Sequence, residues 1–190
     1  MDREVVTSAS LDALPRRIFL DSCTAQTLRD YSAYIFEGEP IPQSDRIFRV
    51  PEGIEKVRAL REIFLINERA HFEWIVSHAS MMEADGKGDR GHLHWVWDIA
   101  HHSAVCLALE GATKESRARA ALLHASVFGY LGAKDRLLLA DAVTFRCEAF
   151  LTMERRLPRN AAHIERELGL RILTPITHWQ LLCPWAALWR

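Results

Sequence analysis

Apolar positions along this chain follow two periods in alternation, and that alternation is the first clue to its fold. Short, nearly uninterrupted apolar runs read as buried strands: 18–22 (IFLDS), 72–77 (FEWIVS), 149–152 (AFLT) and 170–174 (LRILT). Between them, apolar residues recur every three or four positions. Leu28, Tyr31 and Ile35 mark a helix from about Thr24 to Phe36, and Ile54, Val57, Leu60 and Phe64 mark one over 54–70. Ser80 is placed to cap a short helix carrying Met81, Met82 and Glu83. Further helices are expected over 92–109 and 114–130, from Asp135 onward, over 161–168 up to Gly169, and over 177–182 before Pro184. Strands and helices in alternation with tight connections predict an α/β fold with a central, mostly parallel sheet.

The interruptions organise the rest. Residues 1–15 form a lead-in ending at Pro15. The Pro- and Gly-rich stretch 37–53 reads as an inserted loop with a short strand over 47–50, and 84–98 reads as a second insertion. The tail 183–190 carries Trp185 and Trp189, which must pack against something. There is no internal repeat, so residues 1–190 read as one domain, a size that can bury a sizeable core.

Composition narrows the class. Hydrophobic content is 49% and charged content 26%, as in ordinary globular chains. No run reaches the roughly 18 apolar residues of a membrane span, and the amino terminus (MDREVV) is unlike a secretion signal, so a cytoplasmic protein without a membrane partner is expected. Cys23, Cys106, Cys147 and Cys183 lie far apart, without a CxxC pair, and should be reduced thiols. A net charge of −1 argues against bulk electrostatic binding of nucleic acid. It leaves room for acids gathered at a metal with arginines around them, and arginine, the dominant cation here, suits phosphate because its planar fork donates two bonds.

Four acids occupy equivalent topological places. Asp21 ends the first strand, Glu83 follows the second, Asp135 begins a helix, and Glu154 follows the next strand. A parallel sheet brings strand ends together, and ligands collect outside their carboxyl ends. Clustered carboxylates repel one another unless a cation joins them, and an oxygen-only set suits Mg²⁺ or Mn²⁺. Such an ion supports phosphodiester hydrolysis. Asp141 competes for the fourth place, but lies six residues beyond Asp135, roughly 240° round a helix, and should face elsewhere.

IFLDS at 18–22, SHASMMEA at 77–84, DRLLLADA at 135–142, FLTMERRLP at 150–158 and RILTP at 171–175 together resemble the ordered motifs of the PIN domain. The resemblance spans Ile18 to about Leu182. It implies a three-layer α/β/α sandwich and a Mg²⁺- or Mn²⁺-dependent endoribonuclease of the kind found among toxins of toxin–antitoxin pairs. Asp21, Glu83, Asp135 and Glu154 would be the catalytic, metal-holding acids. Ser22 and Thr152 would support them, and Arg155 and Arg156, with Arg159, would receive RNA. An antitoxin protein and a second copy of the chain are the implied partners. Two positions depart from the pattern: Glu154 stands where aspartate is usual, and Cys23 where asparagine is frequent. The alternative is a catalytically degenerate PIN-like module that binds RNA or protein. A separate cluster, His92, His94, Asp98, His101 and His102, offers a competing zinc site on a predicted helix, though without an HExxH signature.

Overall fold

The computed structural model describes residues 10–85 and 94–189, the side chains of 83–85, 94 and 95 excepted. Four short strands, β1 (Arg17–Leu20), β2 (Glu73–Ile75), β3 (Ala149–Leu151) and β4 (Arg171–Leu173), pair in the order β2-β1-β3-β4. Every pairing is parallel. The predicted α/β class and parallel sheet are therefore present. The helices are α1 (Ser22–Asp30), α2 (Gly53–Ala70), α3 (His78–Asp85), α4 (His94–Glu110), α5 (Lys114–Leu122), α6 (Ala133–Thr144), α7 (Ala161–Leu168) and α8 (Pro175–Leu182).

Side chains alternate across the sheet, so one register carries two cores. Ile18, Leu20, Trp74, Ala149, Leu151 and Leu173 face a cluster shared with α1, α2 and α8. Phe19, Ile75, Phe150 and Ile172 face the opposite cluster, shared with α6 and α7. There Phe19 and Phe150 stack with ring centroids 5.2 Å apart. Burial on both faces is why the strands read as continuous apolar runs. The connectivity agrees with right-handed crossovers. The chain leaves β1 for β2 over one face, then returns past β1 to β3 over the other. Helices thus cover both faces, compatible with a three-layer arrangement.

Several boundaries differ from expectation. Residues 47–50 are not a strand. Arg46–Arg49 form a 3-10 turn whose amino end is held by Asp45, the carboxylate accepting from the Ile47 amide at 2.8 Å. The helix expected over 24–36 begins at Ser22 and stops at Asp30, followed by a π-turn over Ala33–Glu37 that ends at left-handed Gly38. The helix expected over 114–130 stops at Leu122, because a 3-10 turn over Ser126–Phe128 buries Phe128 instead. The short helix after β2 opens at His78, with Ser77 rather than Ser80 as the cap: its hydroxyl accepts from the Ser80 amide at 3.2 Å. The tail forms a 3-10 turn, Cys183–Leu188, and Trp185 and Trp189 pack on the first cluster. Residues 1–9 and most of the 84–98 stretch lie outside the described residues. Among the described residues, no helix is long and apolar enough to cross a membrane.

Candidate metal centre

Strand order fixes where the site lies. Because β1 has β2 on one side and β3 on the other, the connections diverge between β1 and β3 and leave a crevice at their carboxyl ends. Asp21 and Thr152 are the first residues past those two strands. The Asp21 amide donates to Leu151 O at 3.1 Å, and the Thr152 amide donates to Leu173 O at 2.9 Å, so both continue the ladder by one step.

Asp21 occupies the N-cap position of α1, yet its carboxylate makes no capping bond. It turns instead toward the crevice, only 6% exposed. Thr152 Oγ1 donates to Asp21 Oδ2 at 2.6 Å, Cys23 Sγ donates to the same oxygen at 2.9 Å, and Ser22 Oγ lies 3.3 Å from Oδ1. The start of α1 adds the favourable end of a helix dipole. The fully buried Thr152 hydroxyl also accepts from the Glu154 amide at 3.1 Å. One hydroxyl therefore ties both acid-bearing segments together.

The result is a group of three donors. A carboxylate oxygen of Asp21, Cys23 Sγ and a carboxylate oxygen of Glu154 all lie within 4.8 Å of one another. Asp21 is buried, Cys23 half-buried and Glu154 exposed, which grades the site from a dry interior to an open mouth. Burial first, and then the neighbouring Asp21 carboxylate, push the Cys23 thiol well above its usual range. The thiol therefore keeps its proton and serves Asp21 as a donor. Two carboxylates of this kind fit a hard divalent cation, which takes one or two protein carboxylates and completes its shell with water and substrate phosphate.

Of the four acids read from sequence, the structure brings Asp21 and Glu154 together. Asp135 stands in the first turn of α6, half-buried and outside the three-donor group; α6 begins at Ala133, so Asp135 is not the residue that opens it. The Glu83 side chain lies outside the described residues. Asp141 lies outside the group: it accepts a hydrogen bond from Ser77, and burial raises its carboxyl above the usual carboxylate range. Ser22 and Thr152 hold Asp21 in the manner described. Arg155, Arg156 and Arg159 are exposed beyond Glu154, and Arg156 reaches Tyr130 O at 3.5 Å.

His92 lies outside the described residues, as does the side chain of His94. Asp98, His101 and His102 are exposed on α4, and His101 lines a different pocket from Asp98 and His102. Among the described residues none of them joins a three-donor group. Two contributors escaped the sequence reading. In the sequence Cys23 reads as a reduced thiol and a departure from the motif pattern, not as a site residue, although its spacing from Asp21 on a helix start is visible. Lys56 is 2% exposed and donates from Nζ to Met153 O at 3.0 Å, beside the same crevice. Its signal is a lysine in the first turn of an apolar-faced helix, whose stem can be buried so long as the ammonium at its end finds an acceptor. No protein-family model matches this chain, and no curated protein or solved structure matches it either.

Proposed function

We propose that this chain is a PIN-like, Mg²⁺- or Mn²⁺-dependent endoribonuclease whose site is the crevice between β1 and β3. The observation that carries the reading is the convergence of Asp21 and Glu154, 133 positions apart in sequence, on one point at the topological switch of a parallel sheet. The ordered motifs that resemble PIN domains support the same conclusion.

Asp21 and Glu154 would hold the ion, with Asp135 and Glu83 as further acids of the motif set. When bound, such an ion supplies positive charge that activates water and offsets charge developing on the phosphate. Asp21 contributes a carboxylate whose orientation is locked by three neutral donors, so little reorganisation accompanies ion capture. Glu154, longer by one methylene than the usual aspartate, reaches the group from an exposed loop. Arg155 and Arg159 place guanidinium groups on the solvent side, where an RNA backbone would approach.

The decisive experiment incubates the purified chain with single-stranded RNA in Mn²⁺ or Mg²⁺, beside Asp21→Asn and an EDTA control. Cleavage should require the ion and disappear in Asp21→Asn, a loss larger than the roughly 10–100-fold cost of removing an outer-shell partner. A second reading, a non-catalytic RNA- or protein-binding module, is favoured by the position of Asp135 outside the three-donor group. Thermal unfolding separates the two. An ion-competent site raises Tm with Mn²⁺ concentration, and a degenerate one does not. Absence of both cleavage and stabilisation overturns the nuclease reading.

A further inference from the structure

A pocket of about 360 Å³ opens directly beside the acid group, sharing Cys23 as part of its wall. Its outer wall is built by the stretch 46–53, which belongs to the loop that the motif pattern does not contain. That wall is held in place by specific contacts. Tyr31 OH donates to Asp45 Oδ1 at 2.8 Å, the same oxygen that accepts from the Ile47 amide. Ile47 is buried, and Gly53 lets its carbonyl approach α2: a Cβ there would come within 2.6 Å of Ile47 O. The wall is therefore preformed, so an occupant need not order it.

The lining has two characters. Lys56, Arg46 and Arg155 bring three cations, against Asp30 as the acid. The Lys56 ammonium carries three donors; Met153 O takes one, and Glu52 stands 3.7 Å away. Arg46 is 79% exposed and paired with Asp30 at 3.1 Å, an exposed pair worth little that a stronger anion can exchange. Ile47, Val50 and Pro51 add an apolar ledge to the same lining. Cations and an apolar ledge in one lining, in a volume at the lower end of small-molecule sites, match a phosphate joined to a base and sugar better than a bare anion.

We infer that this pocket is a nucleotide subsite, seating the nucleotide next to the scissile phosphate of a single-stranded polynucleotide, with Lys56 and Arg46 on its phosphate and the Ile47–Pro51 ledge against its base. The inference rests on the proposed nuclease reading for the word scissile; the pocket itself stands on its own lining.

The test titrates uridine 5′-monophosphate, uridine and inorganic phosphate into the full chain, followed by NMR shifts or calorimetry. It is repeated with Arg46→Ala, Arg46→Ala/Val50→Asp and Asp21→Asn. The mononucleotide should bind more tightly than either fragment. Arg46→Ala should weaken it about tenfold, the scale of one charge-assisted hydrogen bond, and the double variant should weaken it further. Both positions are exposed at the wall, so these variants should keep the wild-type Tm. In RNA cleavage the same substitutions should raise KM more than they lower kcat. If Asp21→Asn abolishes cleavage while Arg46→Ala and the double variant leave both mononucleotide affinity and KM unchanged, the subsite is wrong and the nuclease reading survives. If the wild-type chain cleaves no RNA but binds the mononucleotide in an Arg46-dependent way, the nuclease reading falls and the pocket survives. Equal binding of inorganic phosphate and mononucleotide overturns the role of the apolar ledge.

Discussion

The two ends of this one small sheet treat charge in opposite ways. At the amino end, opposite charges are paired locally. Arg17 meets Glu73 at 3.3 Å and Glu110 at 3.0 Å, and Arg146 joins the same Glu110. Glu148 receives the backbone amides of Arg16 and Arg17. At the carboxyl end, two acids of like sign converge, and the inner one is sunk among hydroxyl and thiol donors. Neutral donors orient a carboxylate without cancelling its charge, whereas a guanidinium cancels it. The first arrangement keeps a negative site available to a cation, and the second closes a charge balance. Under the proposed function, chemistry belongs at the carboxyl end and maintenance of the fold at the amino end.

That contrast is breakable. Under the proposed function, Thr152→Val is the sharpest test short of removing Asp21 itself. The shape is kept, but the hydroxyl that orients Asp21 and accepts from the Glu154 amide is gone. The apparent Mn²⁺ requirement in RNA cleavage should rise about 10–100-fold, with turnover recovering at saturating ion. An unchanged ion dependence would mean that Thr152 merely fills space.

Below the opposite edge, His178 is fully buried against Phe72, with neither ring nitrogen hydrogen-bonded among the described residues. Burial first, and then the Arg171 charge, lower its pKa from 6.5 to about 3. The folded chain therefore refuses a proton that the unfolded chain accepts. As pH falls below 6.5, stability from this group declines by about 1.4 kcal/mol per unit, until the decline ends near pH 3. His178→Leu should flatten the acid limb of a Tm-against-pH profile without altering ion-dependent cleavage at neutral pH. A profile with the same acid slope in both proteins would contradict this.

The smallest effect is expected from Glu110→Gln. Its pairs with Arg17 and Arg146 are partly exposed, so stability should fall by about 0–1 kcal/mol, less at high salt, and cleavage should not change. A large activity loss there would erase the division between the two edges.

Much of this division was readable along the chain, and the exceptions have physical causes. The helix over 161–168 and its stop at Gly169, which sits at φ 67, followed from apolar spacing and one residue tolerant of the left-handed region. The four strands followed from apolar runs, because burial on both faces leaves no polar alternation to confuse them. Residues 47–50 carry strand-like side chains, yet among the described residues no strand pairs with them, and Asp45 offers the Ile47 amide a local partner instead. Asp21 and Glu154 met because parallel strands align their ends, which topology alone predicts. That Asp21 declines to cap α1 and bonds Thr152 depends on side-chain rotation, on which spacing is silent. The positions of Cys23 and Lys56 beside these acids likewise emerge only when two distant segments come into register.

The brevity of the strands has a consequence of its own. β2 and β4, the two borders of the sheet, are each three residues long. Such a border exposes too few backbone donors and acceptors to recruit a strand from another molecule. Short borders of this kind disfavour pairing of copies strand to strand, and with it fibril-like growth through the sheet.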